Sequence, residues 1–379
     1  MLNLIHAMAA GCAFFLSFLV FTVRRETNTI ANRWLAAFLC LLGCFMIDDS
    51  LYVFGIYSRY PALYGFAALT VFALAPTLYL SVVHFVSVDK KFNPEYWWHL
   101  APFFAVSLLS LPILCAPDTL KIKLMESDQK PPDMEAKVMI GLILLQIFIY
   151  WFLSLRKLHR HRRNIVRVTA SILDYDLKWL LWVLYGIGGM MLIWWIDLWF
   201  YALDENASWA TPVYLVGIAW IGYFALRQKE IYPFTATQST SVAAMITDDE
   251  EISVSFRKSP FTEERLAQLK SRLLVVMEQE KPYLDPDLNL PGLASLMQLS
   301  VHEMSHLVNE GFQENFAQFI NRYRVEESKR LLHSEKYAHL SMVGIAFESG
   351  FNSKTAFNTA FKKLTGVSPS AFRAGQQEG

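Results

Sequence analysis

Residues 341–373 read SMVGIAFESGFNSKTAFNTAFKKLTGVSPSAFR. A short apolar-periodic run from Met342 to Phe347 is followed by a break at Ser349-Gly350-Phe351, and Asn352 or Ser353 then opens a second helix. Glycine at 350 suits a sharp turn between two helices, and Phe351, Phe357, Phe361 and Leu364 supply one buried stripe. The pattern predicts a helix-turn-helix. The opposite face of its second helix carries Lys354, Thr355, Asn358, Thr359, Lys362 and Lys363, a set of donors with no carboxylate among them to repel phosphate.

The same plan recurs upstream, where PGLASLMQL precedes Ser300 and then VHEMSHLVNEGF. Ser300 and Glu303 have the spacing of a capping box, so a helix is expected to begin there with Val301, Met304, Leu307 and Val308 inward. Between the two units, ENFAQFINRYRVEESKRLLH places Phe316, Phe319, Ile320, Tyr323, Leu331 and Leu332 at helical spacing and reads as one long connecting helix.

From about Tyr283 to Arg373 the chain resembles the AraC/XylS-type DNA-binding domain. The matching residues are Asn321, Arg324 and Leu331-Leu332, then Gly344 to Phe351, then Phe357, Phe361, Lys362, Gly366, Ser368-Pro369 and Arg373. The resemblance implies two helix-turn-helix units on a connecting helix that enter successive major grooves on one side of the duplex. It departs from the family at Ser328, where a small alanine is usual, and at His306, where a basic residue is common. The DNA-contacting set expected on this basis is His302, Glu303, Ser305, His306 and Asn309 in the first unit, and Ser353, Lys354, Thr355, Asn358, Lys362 and Lys363 in the second.

The rest of the chain has a different character. Lys plus Arg and Asp plus Glu are each 34 of 379 residues, so net charge points to no partner, but 54% hydrophobic against 18% charged residues points to membrane spans. Seven runs within the first 226 residues have spanning length: about 2–23, 34–56, 61–87, 96–116, 137–155, 178–203 and 209–226. Pro76, Pro102 and Pro112 interrupt the third and fourth. No basic n-region precedes the first, which therefore reads as a span and not a signal peptide. Cys12, Cys40, Cys44 and Cys115 all fall in or beside apolar runs and read as small buried hydrophobes.

The loops set the orientation. Arg24, Arg25 and Arg33 lie in the first, Lys90 and Lys91 in the third, Arg156, Lys157, Arg160, Arg162, Arg163 and Arg167 in the fifth, and Arg227 and Lys229 follow the last span. The even loops show no such excess, which predicts an outside amino terminus and an inside carboxyl terminus. A DNA reader in a bacterium must be cytoplasmic, and seven spans put it there. Trp34, Trp97, Trp98, Trp151, Trp179 and Trp182 fall near inner ends, Trp199 and Trp209 near outer ones, as aromatic belts do. The basic run LRKLHRHRRNIVR after the fifth span is expected to sit on anionic lipid.

Asp48, Asp49 and Asp197 share a depth: at ~1.5 Å per residue, Asp48 lies about 21 Å and Asp197 about 25 Å from the inner ends of their spans, in the outer part of a ~30 Å core. Intramembrane acids tend to be functional, which makes these three the expected signal-input site. From Phe234 to Pro260 a Thr-, Ser- and acid-rich stretch reads as a tether. After it, Leu266, Leu269, Leu273 and Val276 form a seam with two uses, pairing two subunits or packing on its own domain.

No phosphate-binding glycine loop, zinc-spaced His/Cys set or catalytic triad is placed by the sequence, and His302-Glu303…His306 matches HExxH in letters only, since Glu303 is taken by the cap. A non-enzyme without cofactor or metal is expected. The fold expected is all-α: a seven-helix transmembrane bundle (1–230), a linker (231–260) and a cytoplasmic DNA-binding domain with two helix-turn-helix units (261–379). Such a chain would be a transcription regulator of the bacterial cytoplasmic (inner) membrane; the competing reading is a transporter or membrane scaffold with a protein-interaction module. Expected partners are double-stranded DNA and membrane lipid, with RNA polymerase, a second copy of the chain in a homodimer, and an unidentified small-molecule or protein signal as further candidates.

Overall fold

Arg324 sits in the middle of an 18-residue helix and is 1% exposed. How a guanidinium comes to be buried there explains much of the C-terminal architecture. The computed structural model describes residues 2–23, 28–87, 93–128, 134–165, 168–169, 177–200, 210–227 and 261–375; among these every named element is a helix. The chain divides into two compact units, Met1–His159 with Leu177–Ile231, and Arg160–Asp176 with Tyr232–Gly379. The expected linker, 231–260, lies outside the described residues.

The first unit contains α1 (Leu2–Thr22), α2 (Thr29–Val53), α3 (Val71–Val86), α4 (Ala101–Leu109), α5 (Asp118–Asp128), α6 (Met134–Ile165, whose last turns belong to the second unit), α7 (Lys178–Phe200) and α8 (Ala210–Arg227). Four segments are long and apolar enough to cross a membrane: Leu4–Thr22, Thr29–Val53, Pro61–Val86 and Lys137–Ile165; Lys178–Ile193 and Val213–Leu226 are shorter apolar helices. Phe15, Phe18 and Phe21 on α1 and Leu145, Phe148 and Phe152 on α6 are half or more exposed, an apolar exterior compatible with hydrocarbon.

The stretch 96–116, expected as one span, is broken. It begins as a 3-10 helix at Pro94–Leu100, continues as α4 and restarts at Leu111–Leu114. Pro102 and Pro112 each stand in the first turn of a helix, where a missing N–H costs nothing, so the proline at 112 starts a new segment instead of kinking an old one. Pro76, by contrast, lies inside α3 without ending it. Trp34 and Trp97 meet edge to face, ring centroids 6.0 Å apart.

The second unit contains α9 (Glu263–Gln279), α10 (Leu290–Leu296), α11 (Val301–Phe312), α12 (Phe316–His333), α13 (Met342–Glu348), α14 (Lys354–Thr365) and α15 (Pro369–Gly375). Two cores form on the two halves of α12. Phe316, Phe319 and Ile320 join Leu269, Leu273, Val276 and Met277 of α9 and the inner faces of α10 and α11. Val325, Leu331 and Leu332 join Ile345, Phe351, Phe357 and Phe361. The α9 seam thus packs on its own domain. Leu364 departs from the expected stripe: in the last turn before Gly366 closes the helix at φ +80°, it is 48% exposed, and Phe372 of α15 completes the core, 5.3 Å from the Phe361 ring.

Arg324 joins the halves. Its Nε donates to the Tyr283 carbonyl and its Nη2 to the Asp285 carbonyl, both at 2.7 Å, and its guanidinium lies 5.8 Å from the centre of the Phe351 ring. Burial lowers its pKa to about 10, partly offset by Asp285 and Asp287. Gly350 abuts the same loop at φ +85°: a β-carbon there would lie 2.2 Å from the Tyr283 oxygen and 2.8 Å from the Leu284 Cα. On another side of this unit, the Leu290 N–H donates to the Val168 carbonyl at 2.9 Å and Thr169 forms an isolated antiparallel bridge with Asn289. Val168 and Thr169, the two residues that follow the basic run expected to rest on lipid, therefore meet the start of α10.

Gly350→Ala combines a disfavoured φ with a backbone clash, so it should destabilise the C-terminal domain of the full chain by about 3 kcal/mol or more. Pulse proteolysis of that domain across a urea series, wild type against variant, measures the shift; coincident midpoints would contradict the packing of Gly350 on Tyr283.

Candidate nucleic-acid interface

α14 begins at Ser353, whose hydroxyl accepts from the Ala356 N–H at 3.3 Å. With Phe357 and Phe361 buried, the 3.6-residue period turns Lys354, Thr355, Asn358, Thr359, Lys362 and Lys363 outward, and all six are exposed. Ser353 is half-buried and engaged in the cap. The α14 face therefore gathers three lysines, two threonines and an asparagine on one helix with no acid in its sequence. Lys362 and Lys363 stand in its last turn, where they also complement the helix dipole.

The first unit is built the same way and ends differently. Ser300 caps α11 in a full capping box: its Oγ accepts from the Glu303 N–H at 3.2 Å while the Glu303 carboxylate accepts from the Ser300 N–H at 2.8 Å and Oγ at 2.7 Å. These hydrogen bonds, the backbone one foremost, hold the Glu303 carboxyl below its usual range. Glu303 is thus occupied at the helix start. Two residues expected on the exposed face lie inside instead: Ser305 is 5% and His306 4% exposed. Phe261, from the segment before α9, packs edge to face against the His306 ring at 5.8 Å, and burial depresses the His306 pKa. His302 is exposed; Asn309 is half-buried, its amide donating to Ser305 Oγ at 3.4 Å.

Of the residues read as signal input, Asp48 accepts a hydrogen bond from the buried hydroxyl of Tyr57. The side chains of Asp49 and Asp197 lie outside the described residues. Among the described residues no three His, Cys, Asp or Glu side chains cluster as metal ligands would. Arg324, which the sequence offered only as a matching position, is the residue that joins the two halves of the C-terminal domain. Its signal was present: it lies four residues after Ile320 and seven before Leu331, on the apolar face of α12.

Residues 293–375 match the model of a family described as helix-turn-helix domain, which covers the chain from within α10 to the end of α15. A 110-residue stretch is 28% identical to the HTH-type transcriptional regulator GlxA of Rhizobium meliloti (strain 1021), covering 29% of this chain and 33% of that protein. The chain thus spans about a third of the length of that relative. No solved structure matches. The C-terminal part of the chain is a helix-turn-helix domain.

His306 should make the domain acid-sensitive. Its pKa is depressed in the fold and near 6.5 in the unfolded chain, so unfolding takes up a proton and stability falls as pH drops below about 6.5. In His306→Phe the loss of stability between about pH 6.5 and 5 should be shallower than in wild type, as read by urea midpoints from pulse proteolysis. Equal slopes would place the His306 ring in contact with solvent.

Proposed function

We propose that this protein is a membrane-anchored bacterial transcription regulator, whose N-terminal seven-span unit (1–230) receives a signal and whose C-terminal domain (261–379) binds promoter DNA sequence-specifically through two helix-turn-helix units. The observation that carries the reading is the α14 face: six exposed donors, no acid, mounted on a helix whose position is fixed by Phe357, Phe361 and the Gly350 turn. The likeness to a helix-turn-helix transcriptional regulator supports it. The seven-span count rests on four long apolar helices together with the broken 96–116 segment and two shorter apolar helices.

In the second unit Lys354 and Asn358, early on α14, are assigned to base edges or adjacent phosphate, and Lys362 and Lys363 to the backbone. Thr355 lies between them, and Ser353 positions the helix start. In the first unit His302 and Asn309 are the accessible contacts; Glu303, Ser305 and His306 serve the fold of α11. A transporter or scaffold using the domain for protein contacts remains the competing class, and DNA binding by the intact protein separates the two.

Asn358→Ala should cost about 1–3 kcal/mol of discrimination between a selected genomic site and a scrambled one, whereas Lys362→Ala should weaken both alike and lower the salt slope by about one. Binding of purified full-length protein across a salt series reads both effects, and unchanged affinity in the two variants would remove the α14 face from the interface. The orientation predicts that an export-dependent reporter is active when inserted after Leu203 and silent when fused at Gly379. Activity at Gly379 would place the DNA-binding domain on the wrong side of the membrane.

A further inference from the structure

The membrane unit contains a cavity of about 130 Å³ that the DNA-binding reading leaves unused. Five helices contribute to its wall, among them Met46 on α2, Leu78 on α3, Tyr150 and Trp151 on α6, Met190 on α7 and Ile218 on α8. The surface is almost wholly apolar. Four side chains in the wall carry polar hydrogens, Tyr214 among them, and three turn those hydrogens back into the protein: the Tyr150 hydroxyl donates to the His99 carbonyl at 3.2 Å, Ser154 Oγ to the Tyr150 carbonyl at 2.7 Å, and Trp151 Nε1 to the Leu184 carbonyl at 2.8 Å. A charged or strongly polar ligand group would lose its water there without recompense, whereas hydrocarbon would not. The size is near that of an apolar protein cavity of about 150 Å³ that takes up benzene.

Two glycines bring helices close to this wall. A β-carbon on Gly188 would lie 2.7 Å from Trp151 Cζ2, against a rigid indole pinned by its own hydrogen bond. On Gly217 it would lie 2.8 Å from Met190 Cε, the end of a flexible side chain that can swing away. The first glycine therefore sets the position of a wall; the second only crowds its softest part.

We propose that this cavity binds hydrocarbon, a short stretch of alkyl chain with any polar head outside it, and is where the membrane unit meets its ligand. The assignment rests on reading that unit as a membrane-embedded sensor. The chain can come from a bilayer lipid or from a free long-chain acid, and both present the same chemistry to the wall.

The test uses the full-length protein in phosphatidylethanolamine and phosphatidylglycerol vesicles, with two photoreactive probes in separate arms: palmitic acid carrying a diazirine on its chain, and phosphatidylethanolamine carrying the same chain. Labelling of Met46, Trp151 or Met190 should saturate in at least one arm; the free-acid arm alone indicates a soluble ligand, the phospholipid arm a bilayer chain. Saturable labelling should fall about tenfold in Ala75→Trp, which fills the cavity, fall severalfold in Gly188→Ala, and stay within about twofold in Gly217→Ala. Labelling confined in both arms to outward residues such as Phe15, Phe18 and Phe152 overturns the proposal, as does saturable labelling equal in wild type and Ala75→Trp. Labelling of the outward Phe15 and Phe152 at the wild-type level reports folding of the variants' N-terminal unit, and DNA binding measured on the same vesicles keeps the two readings apart: cavity labelling without DNA binding counts against the regulator, DNA binding without cavity labelling against the ligand site.

Discussion

The C-terminal domain depends on a buried cation held by main-chain oxygens. Arg324 places two of its N–H groups on the carbonyls of Tyr283 and Asp285, so the charge is met by dipoles that cannot move without unravelling the loop. Removing the side chain would leave both carbonyls buried without a donor, at a cost of about 1–3 kcal/mol each. The Gly350 turn of the second helix-turn-helix presses on that same loop, which leads into the first. One loop is thereby gripped by the connecting helix and by the second unit together, and the two units are held in fixed relation.

In the N-terminal unit the constraint is the apolar exterior of its helices. Helices that expose Phe15, Phe18, Phe148 and Phe152 along their length would aggregate in water, and an apolar exterior of this kind is compatible with hydrocarbon. The break at Ser110-Leu111-Pro112 shows that an apolar run of spanning length need not be one helix.

What could be read from the chain was whatever a single helix determines by itself. Ser300 and Glu303 form their cap because both partners lie within four residues, and Phe357 and Phe361 face inward because their spacing allows nothing else. Reading failed where a second element decides. Periodicity gives His306 an angle on α11, but Phe261, 45 positions earlier, is what covers it. Leu364 has the right angle and lies past the end of its packing partners, where Phe372 takes the place. The bridge between Thr169 and Asn289 is made by backbone atoms far apart in sequence and leaves no pattern at all.

All 11 tryptophans lie between Trp34 and Trp220, and the helix-turn-helix domain has none. Light absorbed at the red edge of the protein spectrum therefore excites the N-terminal unit alone. Trp151, in the cavity wall with its N–H tied to the Leu184 carbonyl, is among the emitters. The chain thus carries its own optical label on one half only: occupation of the cavity can alter the emission directly, while events confined to the helix-turn-helix half pass without intrinsic signal.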